Sequence, residues 1–349
     1  MVRKRPKPTD ADWEEALTTA REALTIAEEL GLLREVSLCL DAVGYAYSEL
    51  GNFRESYVHN QRRLPIAKSL QDSDELIDAH NMIAASALVL GDFDEVIEHA
   101  TAGRDLALET EKPRLGAVSL QTEALGRLLA GEFPGALATA ARRDQFLPTG
   151  KGQATLIVAS AAAAAMAAPD EKVFREQLVE SEPAPVDLAA CDFLTAVYGM
   201  RESESSYHAI RSAGYPKGFF TQSLIGPVGV LAAARWRIDD QPFVDRIEAV
   251  VERTGHARGR ALLTQAEGVR AMQRGELAKA EKLIFDAVQA FATLRLDYER
   301  AVAIADHARV LAALGRADHR AELEDARATA ERLSATALRN TLEQVPVPS

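Results

Sequence analysis

Seven histidines are the residues of this 349-residue chain best suited to metal or proton chemistry: His59, His80, His99, His208, His256, His307 and His319. A helical zinc site sets two imidazoles four residues apart, and no pair has that spacing. Glu95 and His99 share a helix face, as many solvated pairs do. Asp306, His307 and Arg309 fall on one C-terminal helical stretch and read as a polar face rather than an acid–base pair. The run Gly150-Lys151-Gly152-Gln153-Ala154-Thr155 approaches a phosphate loop, but it lacks the full glycine spacing and Lys151 is not followed by Ser or Thr. With helical patterns on both sides, it reads as a turn. Cys39 and Cys191 lie in apolar helical patterns and form neither a disulfide framework nor a zinc spacing. An enzyme would have to use Tyr207, His208, Tyr215 and Trp236 in an irregular middle segment. No catalytic residue, metal or cofactor is expected.

Composition favours closely packed helices. Hydrophobic residues make up 47% and aromatics only 6%, with alanine prominent, so small side chains can bring helices near one another. The formal charge of −12 opposes non-specific binding to a nucleic-acid backbone, and no direct nucleic-acid partner is expected. The opening Val2-Arg3-Lys4-Arg5-Pro6-Lys7-Pro8 has no apolar stretch behind it and is no signal peptide. The longest apolar run, 156–168, is too short for a membrane span. These features predict a soluble, cytoplasmic protein with no membrane partner.

The elements that must position any site are announced by a repeat. Asp12-Trp13-Glu14-Glu15, Asn52-Phe53-Arg54-Glu55 and Asp92-Phe93-Asp94-Glu95 are 40 residues apart. Gly51, Gly91 and Gly131 keep the same step, and so do Gly275 and Gly315. A fixed period of this length is the mark of a stacked supersecondary unit. Within one unit, Leu38, Ala42, Val43, Ala46, Tyr47 and Leu50 follow a helical period. Gly51 ends that helix, Asn52 with Glu55 forms a capping box for the next, and Phe53 packs back. The unit is therefore helix, tight turn, helix. The first helix, over 12–30, matches only the second half of a unit.

This pattern resembles the tetratricopeptide repeat (TPR) family. The resemblance rests on Gly44 and Tyr47 before Gly51-Asn52-Phe53, on Gly268 and Ala271 before Gly275-Glu276-Leu277, and on Ala16, Ala20 and Ala23 after Trp13. Ala136, Ala140, Ala280 and Ala287 match the family's small residues in the second helix. Ser56 and Asn60 depart from it, and the unit is longer than the common 34 residues. Such long units resemble the arrays at the C-terminal end of bacterial LuxR-type regulators and of some nucleotide cyclases. The implied fold is an all-α, right-handed TPR-like α-solenoid of about eight helix pairs. Its expected divisions are a basic flexible leader (1–9), regular repeats (10–147), degenerate helical repeats (148–256), regular repeats (257–336) and a tail (337–349). Gly226-Pro227-Val228-Gly229 interrupts an apolar helical pattern and reads as a packing kink or as a backbone-lined depression.

In the family the first helix of each pair lines a concave groove. The matching positions here are Leu38, Asp41, Tyr45, Ser48, Glu49, Asp78, Asn81, Ala85, Leu88, Gln121, Leu125, Gln265, Val269, Met272, Gln273 and Arg309. Asp41, Tyr45 and Ala85 stand where some members grip a peptide carboxylate. The acidic N-terminal part favours a basic or neutral protein or peptide. The expected function is a protein- or peptide-binding scaffold. The alternatives are a ligand-sensing regulatory module of a bacterial signalling or transcription protein, and an enzyme with a pocket near Tyr207, His208 and Trp236. A homodimer through the ends of the array is a further expectation.

Overall fold

A computed structural model describes residues 8–146, 153–214, 219–316 and 320–345, and among them it contains helices and no strand. Lys151, Tyr215, His319, residues 1–7 of the basic leader and residues 346–349 of the tail lie outside that set. A lone helix α1 (Asp10–Glu29) precedes eight pairs. Units 1 to 3 are α2 (Leu33–Glu49) with α3 (Phe53–Leu70), α4 (Ser73–Leu90) with α5 (Phe93–Glu109), and α6 (Pro113–Leu129) with α7 (Phe133–Ala140). A 3-10 turn over Ala141–Gln145 prolongs α7. Units 4 to 6 are α8 (Gln153–Ala165) with α9 (Glu171–Glu180), α10 (Pro185–Tyr198) with α11 (Glu204–Ser212), and α12 (Phe219–Arg235) with α13 (Gln241–Thr254). Units 7 and 8 are α14 (Ala257–Gln273) with α15 (Leu277–Thr293), and α16 (Asp297–Ala313) with α17 (Arg320–Arg332). A final helix, α18 (Thr336–Glu343), follows. Most helices pack chiefly on a neighbour in sequence, while α10 packs chiefly on α8 and α12 on α14, and the fold is an all-α array.

The corner chemistry is local. Gly51, Gly91, Gly131, Gly275 and Gly315 all have φ between +71° and +84°, the left-handed region in which a Cβ is strained. At the first corner the Gly51 N–H donates to Ser48 O at 3.0 Å and the Asn52 N–H to Tyr47 O at 2.8 Å. These bonds satisfy carbonyls that the helix end would leave open. Asp92 caps α5 by accepting from the Glu95 N–H at 3.3 Å. Asn52 differs from expectation. It occupies the N-cap position of α3, but its side chain makes no capping bond.

The tail also begins differently from expectation. Residues 336–343 form α18, whose apolar side chains Ala337, Leu338 and Leu342 are buried. The run around Pro227 is continuous helix, and its glycines permit close packing. A Cβ on Gly226 would meet Ile247 Cδ1 at 2.5 Å, and one on Gly229 would meet Phe243 Cε1 at 3.1 Å. That is the packing reading of this run. Cys191 is buried and Cys39 only half-buried.

The array turns back on itself. Each corner of units 1 to 3 meets the unit five further along. Arg253 of unit 6 donates through Nε to the Leu50 carbonyl at 3.0 Å, and its guanidinium pairs with Asp10 at 3.0 Å. Gly91 approaches Arg258 Cβ of unit 7 within 4.0 Å of a Cβ position. A Cβ on Gly131 would lie 2.9 Å from that of Tyr298 in unit 8. Phe133 then meets Tyr298 edge-on at 4.9 Å and Tyr198 at 6.0 Å. Such ring pairs add about 0.5–1.5 kcal/mol each beyond area burial. One apolar core accordingly runs from Phe53 to Val345.

This geometry predicts different costs for one substitution at two corners. Gly131 and Gly275 share φ +79°, but a Cβ at Gly275 meets nothing within 4 Å. Gly275→Ala should cost about 1–2 kcal/mol from backbone strain alone. Gly131→Ala should cost about 1–3 kcal/mol more through overpacking on Tyr298. Urea unfolding midpoints of the two variants check this; equal losses would mean that the inter-turn contact carries no energy.

Candidate functional site

Among the described residues, α1, α2 and α4 line one recess and α10, α12, α14, α16 and α18 line a separate one. The division arises because α12 touches both α2 and α4. Leu88 of α4 is 1% exposed and belongs to the same buried cluster as the apolar residues of α12. It therefore lines no open surface, contrary to expectation.

The N-terminal recess has a volume of about 410 Å³. Trp13 and Tyr45 form one wall, their rings edge-to-face at 5.5 Å and 72°. Glu49 and Asp10 contribute carboxylates, Phe53 and Met82 apolar surface, and among the described residues no lysine or arginine lines it. Burial, and then the adjacent Glu49 carboxylate, push the Tyr45 phenol up. Asp10 is held by Arg253, whereas no ion pair to Glu49 forms among the described residues. Tyr45 and Glu49 thus line the same recess. Trp13, used in the sequence only as a repeat marker, is their partner.

Asp41 and Asp78 have a different setting. Both accept from Nη1 of Arg63, at 2.6 and 2.8 Å, and Glu75 accepts from Nη2 at 3.0 Å. The Arg63 side chain is 1% exposed. Three carboxylates therefore surround one buried cation between α2, α3 and α4, and the acidity that suggested a basic partner is partly compensated here. Burial raises the Asp41 carboxyl to about 6; Arg63 opposes the shift, and Asp78 and Glu75 add to it.

Other expected groove residues point into the packing. Asn81, 5% exposed, accepts from Ser119 Oγ at 2.6 Å. Gln265, fully buried, donates to Asp306 at 2.9 Å. Gln121 is half-buried on α6. His99 lies between Glu95 and His80, with its Nδ1 2.9 Å from that of His80. Burial, followed by the nearby His99 and Lys68, lowers His80 to about 4. Among the described residues no group of three or more His, Cys, Asp or Glu is placed to hold a metal ion.

The C-terminal recess, about 340 Å³, lies between α10, α12, α14, α16 and α18. Met272 and Arg309 line it, together with Trp236. At its edge Asp306 accepts from Arg235 Nη2 at 2.6 Å and from Arg309 Nη1 at 2.8 Å. Asp306 and His307 read in the sequence as a solvated polar face, yet they are only 2% and 4% exposed. The Arg309 pairing is visible as an i, i+3 spacing, but Arg235 is 71 residues away and leaves no sequence signal.

Tyr207, His208 and Trp236 do not converge. Tyr207 is 1% exposed, donates to Asp240 at 2.9 Å, and lines a separate small void with Phe193 and Phe243. His208 is exposed and pairs with Glu204. No helix among the described residues is long and apolar enough to cross a membrane. No protein-family model matches the chain, and no curated protein matches it.

Asp41 supplies a test of the polar cluster. Its folded value of about 6 lies above the ordinary 3.8. The folded chain therefore holds a proton that the unfolded chain releases. The stabilisation is complete below about pH 4 and is lost as pH rises through 6. Asp41→Asn lacks this titration. Urea midpoints at pH 4.5 and 7 should show the variant gaining on the parent as pH rises; a constant gap would contradict the shift.

Proposed function

We propose that the chain is a protein- or peptide-binding module that receives a basic or neutral segment on its inner face, in the N-terminal recess. One observation carries the reading: an edge-to-face Trp13–Tyr45 pair beside the Glu49 carboxylate, which forms no ion pair among the described residues. An indole face and a carboxylate together suit a lysine or arginine side chain. The cation–π part contributes about 0.5–2 kcal/mol, depending on desolvation. The carboxylate steers the charged partner and fixes its register. Support from architecture is by analogy only, since arrays of helix pairs commonly present binding surfaces.

A second reading, a ligand-sensing regulatory module, draws on the C-terminal recess. Its volume of about 340 Å³ falls within the size range of small-molecule sites.

Fluorescence anisotropy with a panel of labelled peptides, matched in length and carrying lysine, arginine, neutral or acidic centres, tests the first reading. The intact chain should prefer the basic peptides. Glu49→Lys should weaken them about tenfold, equivalent to about 1.4 kcal/mol, and Trp13→Ala by a similar factor. Asp41 and Asp78 are unsuitable for charge reversal because they hold Arg63. Binding that is indifferent to Glu49, or a preference for acidic peptides, would refute the reading.

A further inference from the structure

The C-terminal recess concentrates positive charge in a protein whose formal charge is −12. Arg201, Arg235, Arg237 and Arg309 line it, against Asp306 and Glu202. A guanidinium carries five N–H donors. Arg235 and Arg309 each donate one to Asp306, at 2.6 and 2.8 Å, and Asp306 also accepts from Gln265. One buried carboxylate thus has two guanidiniums and an amide around it, more than its charge requires. The Nε of Arg235 is buried and has no hydrogen-bond partner among the described residues. Arg237 follows α12 with φ +56°, is exposed, and forms no ion pair among the described residues. Arg201 is otherwise committed, to Glu171 at 2.7 Å and to the Thr195 carbonyl at 3.3 Å.

The rest of the wall is apolar. Val228 and Leu231 of α12, Met272 of α14, Val302 of α16 and Leu338 of α18 contribute, with Trp236 beside the arginines. Like charges held together in a half-enclosed cavity repel one another, and an entering anion relieves that repulsion while taking the unused donors. Arginine forks match the planar oxygens of a carboxylate or the faces of a phosphate. An aliphatic and indole wall favours an apolar body on the same ligand.

We propose that this recess is a binding site for an amphipathic organic anion, a carboxylate or phosphate head on an apolar body. Arg235, Arg237 and Arg309 hold the head, and Trp236 and Met272 contact the body. The site is distinct from the N-terminal recess and opposite to it in charge. The proposal does not depend on peptide binding at the other end or on a regulatory role.

The protein has two tryptophans, and one lines each recess. In a Trp13→Phe background, Trp236 alone reports. Decanoate and decyl phosphate, titrated below their micellar concentrations, should change its emission saturably, and either head group satisfies the proposal. Decanol and decylammonium should bind at least tenfold more weakly. Arg237→Gln removes an exposed side chain without an ion pair. It should leave the melting temperature unchanged and weaken the anions about tenfold; Arg309→Gln should weaken them as much. Decanol binding as well as decanoate, the absence of saturation with both anions, or unchanged affinity in Arg237→Gln would each overturn the proposal. Peptide binding is read independently from Trp13 in a Trp236→Phe background, so the failure of one reading leaves the other intact.

Discussion

The contact on which this structure depends is the seating of three glycine corners against helices five units further along. Neighbouring helix pairs would stack without it, because each unit buries its apolar face on the next. The corners add contacts between residues far apart in sequence. Leu50 receives Arg253, Gly91 lies beside Arg258, and Gly131 with Phe133 packs on Tyr298. Helix α12 then comes to rest on α2 and α4. The inner face is consequently divided, and the two recesses are what remains on either side of the division.

Buried arginines recur at the joints of the array. Arg63 gathers carboxylates from α2 and α4. Arg104 joins α5 to Glu123 of α6. Arg258 of α14 binds Glu299 of α16 at 2.9 Å and the Leu224 carbonyl of α12 at 3.1 Å. Arg235, half-buried, joins α12 to Asp306 of α16 in the same way. Net stabilisation from such pairs is small, because desolvation offsets most of the attraction, whereas loss of one partner costs about 3–5 kcal/mol. Their effect is therefore to penalise wrong registers between alanine-rich helices, which otherwise offer one another nearly featureless surfaces. The C-terminal recess sits where this system carries more cations than its carboxylates need.

Much of the architecture was legible in the sequence. Glycine at a constant step marks left-handed corners, and the helical period between corners marks the pairs. Three degenerate pairs between Gly131 and Gly275 follow from the distance alone, and α8 to α13 are those pairs. The groove was less legible. A residue on an inner helix faces solvent or a second layer depending on how tightly the array coils, and coiling depends on contacts between distant units. Leu88, Asn81 and Gln265 were assigned to an open surface for that reason and are buried. Tyr45, Glu49, Met272 and Arg309, also on the first helices of their pairs, line recesses. Asp306 hides its role because its second guanidinium comes from a helix 71 residues earlier. The α18 helix leaves no signal of this kind because it lies past the last glycine corner.

The five-unit offset bears on how such a chain can change over time. An open array tolerates gain or loss of a single motif, because only nearest neighbours notice. Here a duplication between the first corner and α13 would carry Arg253 away from Asp10 and Leu50, and one between Gly131 and α16 would set Tyr298 opposite the wrong glycine. A change in copy number there would break these contacts, whereas substitutions elsewhere and loop changes that keep the count would leave them in place.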